Sequence, residues 1–538
     1  MTVIGTRLPR HEDPRLLRGR GRFGDDINVP GQLHARLVRS PSAHGLLRAL
    51  DVTRAARAPG ITAVVTATDL PANCVIPVRL AIAGIDLSGF LQPVLARDTV
   101  RYVGEPLAVV VGDDPYACED AAELVEVDVA DLPVVLDASQ DQQRTAAELT
   151  RGYGDTDAAF AAAAHVVRIE LAVGRHSGVP LEPRCLLAVP GPGRGELAIF
   201  GMTKVPVWNR DLLADLLGVD ETLIRVHAID AGGGFGVRGE FYPEDFLIPW
   251  LALRLGRPVK WAEDRAEHLM AVNHSRQQYH RIAAAFDAGG RILGLTDDII
   301  QDNGAYCRTH GVAVPELTAA MLPGPYRVPA YRGRVRVVLT NKTPCGTYRA
   351  PGRFEGTMAR EQLLDVAAER LGLDRTELRL RNLLGPGEMP HTRAMTALGT
   401  EVVLDAADYP ALLTAAEAEA GRLAPDAVHA VLAAAGQARR ATGMAAEGPP
   451  GLRPAGAEPA GRRAAGPAGL SERECEVLGL LARGLATKQV ARRLGISPKT
   501  CDHHIQRLYG KAGVSTRAGA TMFALEHGLV RPDESAIG

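Results

Sequence analysis

The residues best suited to chemistry in this chain form a glycine-rich segment near its middle, AGGGFGVRGEF at 231–241. Gly232, Gly233, Gly234 and Gly236 surround a single aromatic residue, Phe235. Because four of these residues lack side chains, their backbone N–H groups can close on an anionic or oxo-bearing ligand, as in an oxyanion hole or a nest. The alternative is a strained turn that leads into a buried helix.

A second loop, TNKTPCGTYRAPGRFEG at 340–356, carries Arg349 and Arg353 among glycines and prolines. A rigid loop of this kind suits an anionic ligand, or each arginine pairs with an interior carboxylate. A GxGxxG pattern also occurs at Gly19, Gly21 and Gly24. It neither follows a strand nor opens a helix, so we do not expect it to bind a dinucleotide.

The surrounding elements predict a mixed α+β body followed by a separate tail. Over residues 1–410, β-rich runs such as PLAVVVG at 106–112 and RVRVVLT at 334–340 alternate with helical stretches such as 117–125. Residues 436–469 contain eight Gly, five Pro and ten Ala, which predicts a disordered linker. A chain of 538 residues also exceeds the usual size of one domain.

The overall net charge of −2 hides an asymmetry between body and tail. Residues 470–531 hold ten Lys and Arg against five Asp and Glu, whereas residues 1–435 carry a net charge of −8. A basic tail favours an anionic partner. The seven cysteines form no CxxC pair, the first residues lack an apolar signal, and no run is long enough to span a membrane. These features predict a reduced, cytoplasmic chain.

The tail predicts three short helices. Ser471 and Glu474 form a capping box, and Val477, Leu478, Leu481 and Leu485 follow on one stripe. A second helix begins at Thr487 with Val490, Ala491 and Leu494 inward, and a third runs from about 498 to 511 with Cys501, His504, Ile505 and Leu508 inward. The pattern indicates a helix-turn-helix, because two helices are joined by a glycine turn and the second has cations around its free face. The alternative is a small three-helix bundle that binds a protein.

Seven segments of the body, in order, resemble the molybdopterin-binding large subunits of the xanthine dehydrogenase and aldehyde oxidase family, particularly the carbon-monoxide-dehydrogenase type. The segments are RLPRHEDPRLLRGRGRFGDDI, VRYVGEPLAVVVGDDPYACEDAAELVEVD, LEPRCLLA, GGGFGVRGEFYPEDF, GRPVKWAEDRAEHL, DNGAYCRTHG and TYRAPGRFEGTMARE. The resemblance covers about residues 1–415. It implies a molybdenum-molybdopterin cofactor held through its dithiolene, with no protein ligand to the metal.

By this resemblance, the residues that would bind the cofactor are Lys204, Gly233, Gly234, Phe235, Gly236 and Arg349, and the loop around Arg349 would lie near the substrate. Many relatives have a glutamine where this chain has Lys204, a donor with no acceptor. The family also continues beyond the matched region with a second cofactor-binding domain that carries the catalytic glutamate. The resemblance stops after DAADYPALLTAAEAE, so we assign no catalytic residue and expect no redox catalysis from the body alone.

The tail resembles the LuxR-type helix-turn-helix domain, through LSERECEVL, KQVARRLGIS and KAGVSTR. The resemblance implies double-stranded DNA as partner, with Asp502, His503 and Gln506 at base edges and a helix at 517–527 for homodimerisation. The residues expected at phosphates or elsewhere on the DNA are Lys488, Arg492, Lys499, Thr500, Arg507 and Lys511.

The sequence therefore predicts a multidomain chain. Its parts are an N-terminal segment (1–19), an α/β hammerhead domain (20–135), the first part of a molybdopterin-binding domain (150–415), a linker (416–469) and an all-α helix-turn-helix bundle (470–531). DNA binding and transcriptional regulation are the expected functions. The alternative is an oxidoreductase subunit that hydroxylates an aldehyde, a heterocycle or a CO-like substrate together with iron–sulfur and flavin subunits.

Overall fold

A computed structural model describes most of the body and part of the tail. The described residues are 6–71, 74–201, 203–422, 472–483, 485, 487–494, 504, 505, 508, 511, 520, 523, 524, 527 and 529. The chain divides into two compact units, 1–444 and 445–538. Within the described ranges, no helix combines the length and the apolar character needed to cross a membrane.

A seven-stranded mixed sheet organises the first half of the body. Its strands, in spatial order, are Ile224–His227, Leu197–Gly201, Cys185–Pro190, Val259–Ala262, Leu33–Arg39, Pro106–Gly112 and Ile61–Thr66. The predicted strand Pro106–Gly112 is confirmed: every residue in it is buried, as a continuous apolar run requires. The sheet packs against helices Pro206–Leu217 and Pro243–Leu255 through one apolar core.

A five-stranded sheet organises the second half. Its order is His165–Val173, Gln278–Phe286, Ile292–Asp302, Ala330–Val338 and Thr145–Tyr153. Helix Arg353–Leu371 packs on one face of this sheet through a second apolar core. The β-rich run at 334–340 lies largely within strand Ala330–Val338. The smaller sheets pair Gly45–Asp51 with Thr99–Val100 and Glu126–Asp131, His391–Ala397 with Thr400–Leu404, His176–Ser177 with His274–Ser275, and Val75–Ile76 with Gln92–Pro93.

Local sequence signals set the helix ends. The helical stretch expected at 117–125 is helix Pro115–Ala122, which begins earlier because the Asp114 side chain accepts hydrogen bonds from the N–H groups of Tyr116 and Ala117. The other described α-helices of the body are Asp13–Leu16, Thr53–Ala56, Thr156–Ala161, Pro206–Leu217, Pro243–Leu255, Arg265–Ala271, Ala313–Met321, Arg353–Leu371, Arg375–Asn382 and Tyr409–Arg422. The last of these extends past residue 415, so the first residues of the predicted linker are helical.

The seven-stranded sheet crosses the boundary expected between residues 135 and 150. Strand Leu33–Arg39 pairs in parallel with Val259–Ala262, which joins the hammerhead region to the cofactor-binding region. A buried ion network reinforces the joint: Arg39 contacts Glu244 at 2.5 Å and Glu267 at 2.7 Å. The two regions therefore share one sheet and one set of buried charges.

The tail unit contains helices Glu472–Ala482 and Thr487–Arg493. The second helix begins at Thr487, as predicted. Val477, Leu478, Leu481, Val490, Ala491, Ile505 and Leu508 are buried in one core, and Leu485 and Leu494 pack against it. These inward positions match the predicted stripes. The predicted linker from 423 to 469, Ser471 and Cys501 lie outside the described residues.

Candidate functional site

The glycine-rich segment follows strand Ile224–His227 and has a backbone that favours glycine. Gly233 and Gly236 have φ of +110°, and Phe235 has φ of +49°. A Cβ at Gly236 would lie 2.9 Å from the Thr347 carbonyl oxygen, and one at Gly233 would lie 2.9 Å from Pro180 Cβ. Both glycines are therefore required by conformation and by close contact.

The backbone N–H groups of this segment remain available. Gly232 N–H donates to Glu182 Oε2 at 2.8 Å, but within the described ranges the N–H groups of residues 233–236 donate to no protein acceptor. No heavy atom lies within 4 Å of a Cβ built at Gly234, so the segment is open on that side. A row of free N–H donors beside open space fits an oxo-bearing or anionic group.

The structure brings the predicted cofactor residues of the body together. Arg349 N–H donates to the Phe235 carbonyl at 2.7 Å, which joins the arginine loop to the glycine-rich segment. Lys204 N–H donates to the Arg238 carbonyl at 3.1 Å, and the Lys204 side chain covers Gly239. The three segments that the sequence singled out thus meet at one place.

Arg238 and Glu182 hold the glycine-rich segment in shape, although no sequence pattern indicates this role for either residue. Arg238 Nε donates to the Gly233 carbonyl at 2.9 Å, and its Nη2 contacts the Glu182 carboxylate at 3.1 Å. The same carboxylate accepts the N–H of Gly24 at 3.0 Å. Gly24 of the GxGxxG pattern therefore packs behind this site, and its backbone opens a 3₁₀ turn, Gly24–Asp26, instead of a nucleotide-binding helix.

The arginine loop is also held by buried side chains. Glu240 Oε1 accepts the Thr347 N–H at 3.1 Å, and Asn273 Nδ2 donates to the Thr347 carbonyl at 3.0 Å. Arg276 Nη2 donates to the Arg349 carbonyl at 2.8 Å and its guanidinium lies 3.9 Å from the Phe354 ring centroid. Arg349 itself is exposed. Interior carboxylates pair with other arginines, as Glu355 does with Arg276.

A buried charge network surrounds Arg184, which lines one cavity together with Arg238 and Asp245. Arg184 Nη2 lies 2.6 Å from Glu263 Oε1, and Arg184 Nη1 lies 3.1 Å from Glu244 Oε2. Burial opposes ionisation of Glu263, but the Arg184 charge and the His268 hydrogen bond outweigh it and hold the pKa of Glu263 at about 2. Burial raises the pKa of nearby Asp245 to about 7. The charges of Arg184 and Glu263 therefore lie close to Arg238, which holds the glycine-rich segment.

Among the residues predicted to contact DNA, the structure describes the side chains of Arg492 and Lys511. Arg492 is exposed on the second helix. Lys511 Nζ lies 2.6 Å from Glu474 Oε2, whose side chain is only 4% exposed, so the lysine has a partner inside the domain. The Lys488 side chain and residues Lys499, Thr500, Asp502, His503, Gln506 and Arg507 lie outside the described residues.

Family models match most of the chain. Residues 18–133 match the aldehyde oxidase and xanthine dehydrogenase a/b hammerhead domain, and residues 138–383 match the molybdopterin cofactor-binding domain. Residues 468–524 match the luxR family of bacterial regulatory proteins. The chain joins a molybdenum-hydroxylase body to a luxR-family DNA-binding domain. The predicted resemblances of both parts are confirmed.

Relatives of the molybdenum-hydroxylase body are subunits of oxidoreductases. The body is 42% identical over 418 residues to the 6-hydroxypseudooxynicotine dehydrogenase complex subunit gamma of Paenarthrobacter nicotinovorans, covering 75% of this chain and 52% of that subunit. It is 33% identical over 439 residues to the carbon monoxide dehydrogenase large chain of Hydrogenophaga pseudoflava, covering 74% and 54%. Quinoline 2-oxidoreductase of Pseudomonas putida 86 superimposes with a TM-score of 0.71 at 34% identity, covering 82% and 56%.

The chain spans about half the length of the curated relatives it matches. The family model and these relatives indicate a molybdopterin cofactor for the molybdenum-hydroxylase body. The glycine-rich segment fits such a group, because in the described part of the chain the N–H groups of residues 233–236 have no protein acceptor and the space beside Gly234 is open.

Proposed function

We propose that this chain is a DNA-binding transcriptional regulator whose body binds molybdopterin. The observation that carries the proposal is the match of residues 468–524 to the luxR family, supported by the buried core of the two described tail helices. The basic charge of the tail suits the phosphates of double-stranded DNA. Such a regulator would act in the cytoplasm as a homodimer formed through residues 517–527.

The third helix of an all-α tail bundle would enter the major groove. We propose that Gln506, Asp502 and His503 face base edges, since glutamine suits adenine and aspartate suits the cytosine amino group. Thr500 would accompany them on the same helix. The cations proposed to meet phosphates are Lys488, Arg492, Lys499 and Arg507.

Replacing Gln506 by alanine should relax base preference, and replacing exposed Arg492 by alanine should weaken binding to all duplexes alike. The reason is that base contacts specify sequence, whereas each phosphate contact adds about 0.9 to the slope of log affinity against log salt. Fluorescence anisotropy over a salt series measures both effects in the full chain. Equal loss of specificity in the two variants would contradict these roles.

For the body, we propose that Gly233, Gly234, Phe235 and Gly236 offer backbone contacts to molybdopterin, with Lys204 and Arg349 at the edge of the site. The bound cofactor would supply redox chemistry at molybdenum. The chain's own residues hold this cradle in place: Arg238 fixes the Gly233 carbonyl, and Glu240 fixes the Thr347 N–H.

Replacing Gly236 by alanine should reduce the molybdenum-to-chain ratio about tenfold. The new Cβ meets the Thr347 carbonyl oxygen and requires an unfavourable φ, at a cost of about 1–3 kcal/mol. Elemental analysis of purified full chain measures the ratio. Gly218→Ala is the matched control, because Gly218 also has positive φ, at +66°, but ends helix Pro206–Leu217 with no atom near its Cβ. An equal loss in both variants would contradict a cradle at Gly236.

A second candidate function is catalysis as a molybdenum-dependent oxidoreductase subunit acting on an aldehyde, a heterocycle or a CO-like substrate. The 42% identity to a dehydrogenase complex subunit favours it. This function would need iron–sulfur and flavin subunits as electron acceptors. Dye reduction that depends on those subunits and disappears when tungsten replaces molybdenum would support it, whereas a molybdenum-loaded chain that reduces no dye together with those subunits would exclude it.

A further inference from the structure

A cavity of about 380 Å³ lies in the second half of the body, where helix Arg353–Leu371 approaches the hairpin of strands His391–Ala397 and Thr400–Leu404. Its size is that of a small-molecule site, and such sites combine a mostly apolar lining with a few polar groups. The apolar side chains that line it include Met321, Met395 and Val402. Among the described residues of its lining, none belongs to the glycine-rich segment.

Two arginines of the lining have no carboxylate partner in the described part of the chain. Arg393 is only 5% exposed, and its guanidinium donates to the Tyr153 hydroxyl at 3.1 Å and to the Gly324 carbonyl at 2.9 Å. Burial lowers the pKa of Arg393 because it removes hydration from the cation. Arg353 is exposed at the start of its helix. Buried charges are normally paired, so a cavity lined by Arg393 suits an anion.

The other charged groups of the lining limit the charge of that anion. Arg360 already has partners, since its Nε lies 2.8 Å from Glu361 Oε1 and its Nη1 donates to the Leu322 carbonyl at 2.9 Å. Asp405 is exposed at the cavity and, over the described ranges, forms no ion pair. Its negative charge disfavours a ligand that carries several negative charges. The lining therefore suits one negative charge joined to an apolar group.

We propose that this cavity binds a monocarboxylate with an apolar body. The carboxylate lies against the guanidinium groups of Arg393 and Arg353, whose planar N–H donors match it in charge and geometry. The apolar body lies on Met395, Val402 and Tyr409. This site goes beyond the proposed function, because neither the proposed DNA contacts nor the proposed cofactor contacts include these residues.

Isothermal titration calorimetry of the full chain with octanoate, and with octanamide as its neutral counterpart, tests the proposal. Octanoate should bind at one site per chain and at least about tenfold more tightly than octanamide, because only the carboxylate pairs with the guanidinium groups. Arg353→Gln should weaken octanoate binding about threefold and leave octanamide binding unchanged, since it removes an exposed, solvent-screened cation. Arg168→Gln is the matched control and should change neither affinity, because Arg168 is exposed on strand His165–Val173, outside the lining.

Arg393→Gln should weaken octanoate binding at least about tenfold, because it removes the buried cation. A thermal melt followed by circular dichroism shows whether this variant folds; if it does not, Arg353→Gln and the comparison of octanoate with octanamide decide. The proposal is overturned if octanoate does not bind, if octanamide binds as tightly, or if Arg353→Gln leaves octanoate affinity unchanged. A loss confined to Arg349→Gln also overturns it, because the anion then binds beside the glycine-rich segment.

Discussion

Replacing Arg184 by alanine is expected to lower the free energy of unfolding of the body by about 3–5 kcal/mol. Arg184 is buried, contacts Glu263 and Glu244, and stacks on the Tyr242 ring with its guanidinium 4.0 Å from the centroid. Its removal leaves two buried carboxylates with less compensation. Urea unfolding followed by tryptophan fluorescence reports on the body alone, because all three tryptophans precede residue 262.

The deficit of the Arg184→Ala variant should grow with pH. In the wild type, the pKa of Glu263 is about 2, so its stabilising contribution is complete above the ordinary carboxyl pKa and is lost as pH falls towards 2. In the absence of the Arg184 charge we expect burial to raise the pKa of Glu263, so the folded variant should retain a proton above the ordinary carboxyl pKa. Its stability should therefore fall as pH rises above the ordinary carboxyl pKa.

Arg281→Ala is the control for this experiment. Arg281 pairs with Glu170 at 3.2 Å, but both side chains are about three-quarters exposed, at 73% and 76%. Solvent screens such a pair, so its loss should cost less than about 1 kcal/mol. If Arg184→Ala costs no more than Arg281→Ala, the buried network does not support the site.

Replacing Lys511 by alanine is expected to destabilise the tail domain by about 1–3 kcal/mol, because the buried Glu474 carboxylate loses the ammonium that lies 2.6 Å from it. A domain of this size is only marginally stable, so a larger fraction of the variant should be unfolded and its DNA affinity should fall. The slope of log affinity against log salt should stay at the wild-type value, since Glu474 neutralises the Lys511 charge. The sequence alone instead predicts a phosphate contact and a smaller slope.

Hydrogen exchange across helix Glu472–Ala482 and a salt series of DNA affinities distinguish these roles. Arg492→Ala is the matched control: an exposed cation at phosphate should lower the slope by about 0.9 and leave exchange unchanged. Combining Lys511→Ala with Glu474→Gln should recover part of the lost stability, because the buried side chain at position 474 is then neutral. A reduced slope with normal exchange in Lys511→Ala would restore the phosphate role.

Local patterns predicted the local structure well. The apolar run at Pro106–Gly112 and the start of the second tail helix at Thr487 depend on residues close in sequence, and both are found. Motifs were equally informative for the body, since Phe235 and Arg349 belong to loops that do meet. Gly233 and Gly236 have a positive φ that other residues adopt only with strain, which explains why glycine occupies these positions.

Features that depend on tertiary contacts could not be predicted in this way. The pairing of Leu33–Arg39 with Val259–Ala262 joins strands more than two hundred residues apart and merges two expected domains into one sheet. No local sequence pattern indicates the hydrogen bond that Arg238 donates to the Gly233 carbonyl. The sequence does not distinguish Lys511 from the other cations predicted to contact DNA. Its ion pair with the buried Glu474 carboxylate depends on how the tail helices pack.

The central claim, sequence-specific DNA binding by the tail, is tested most directly by selecting duplexes from a random-sequence library with the full chain. We predict enrichment of one sequence motif, with the preference at one position relaxed in Gln506→Ala. Binding without enrichment, or a motif that Gln506→Ala leaves unchanged at every position, would contradict the account.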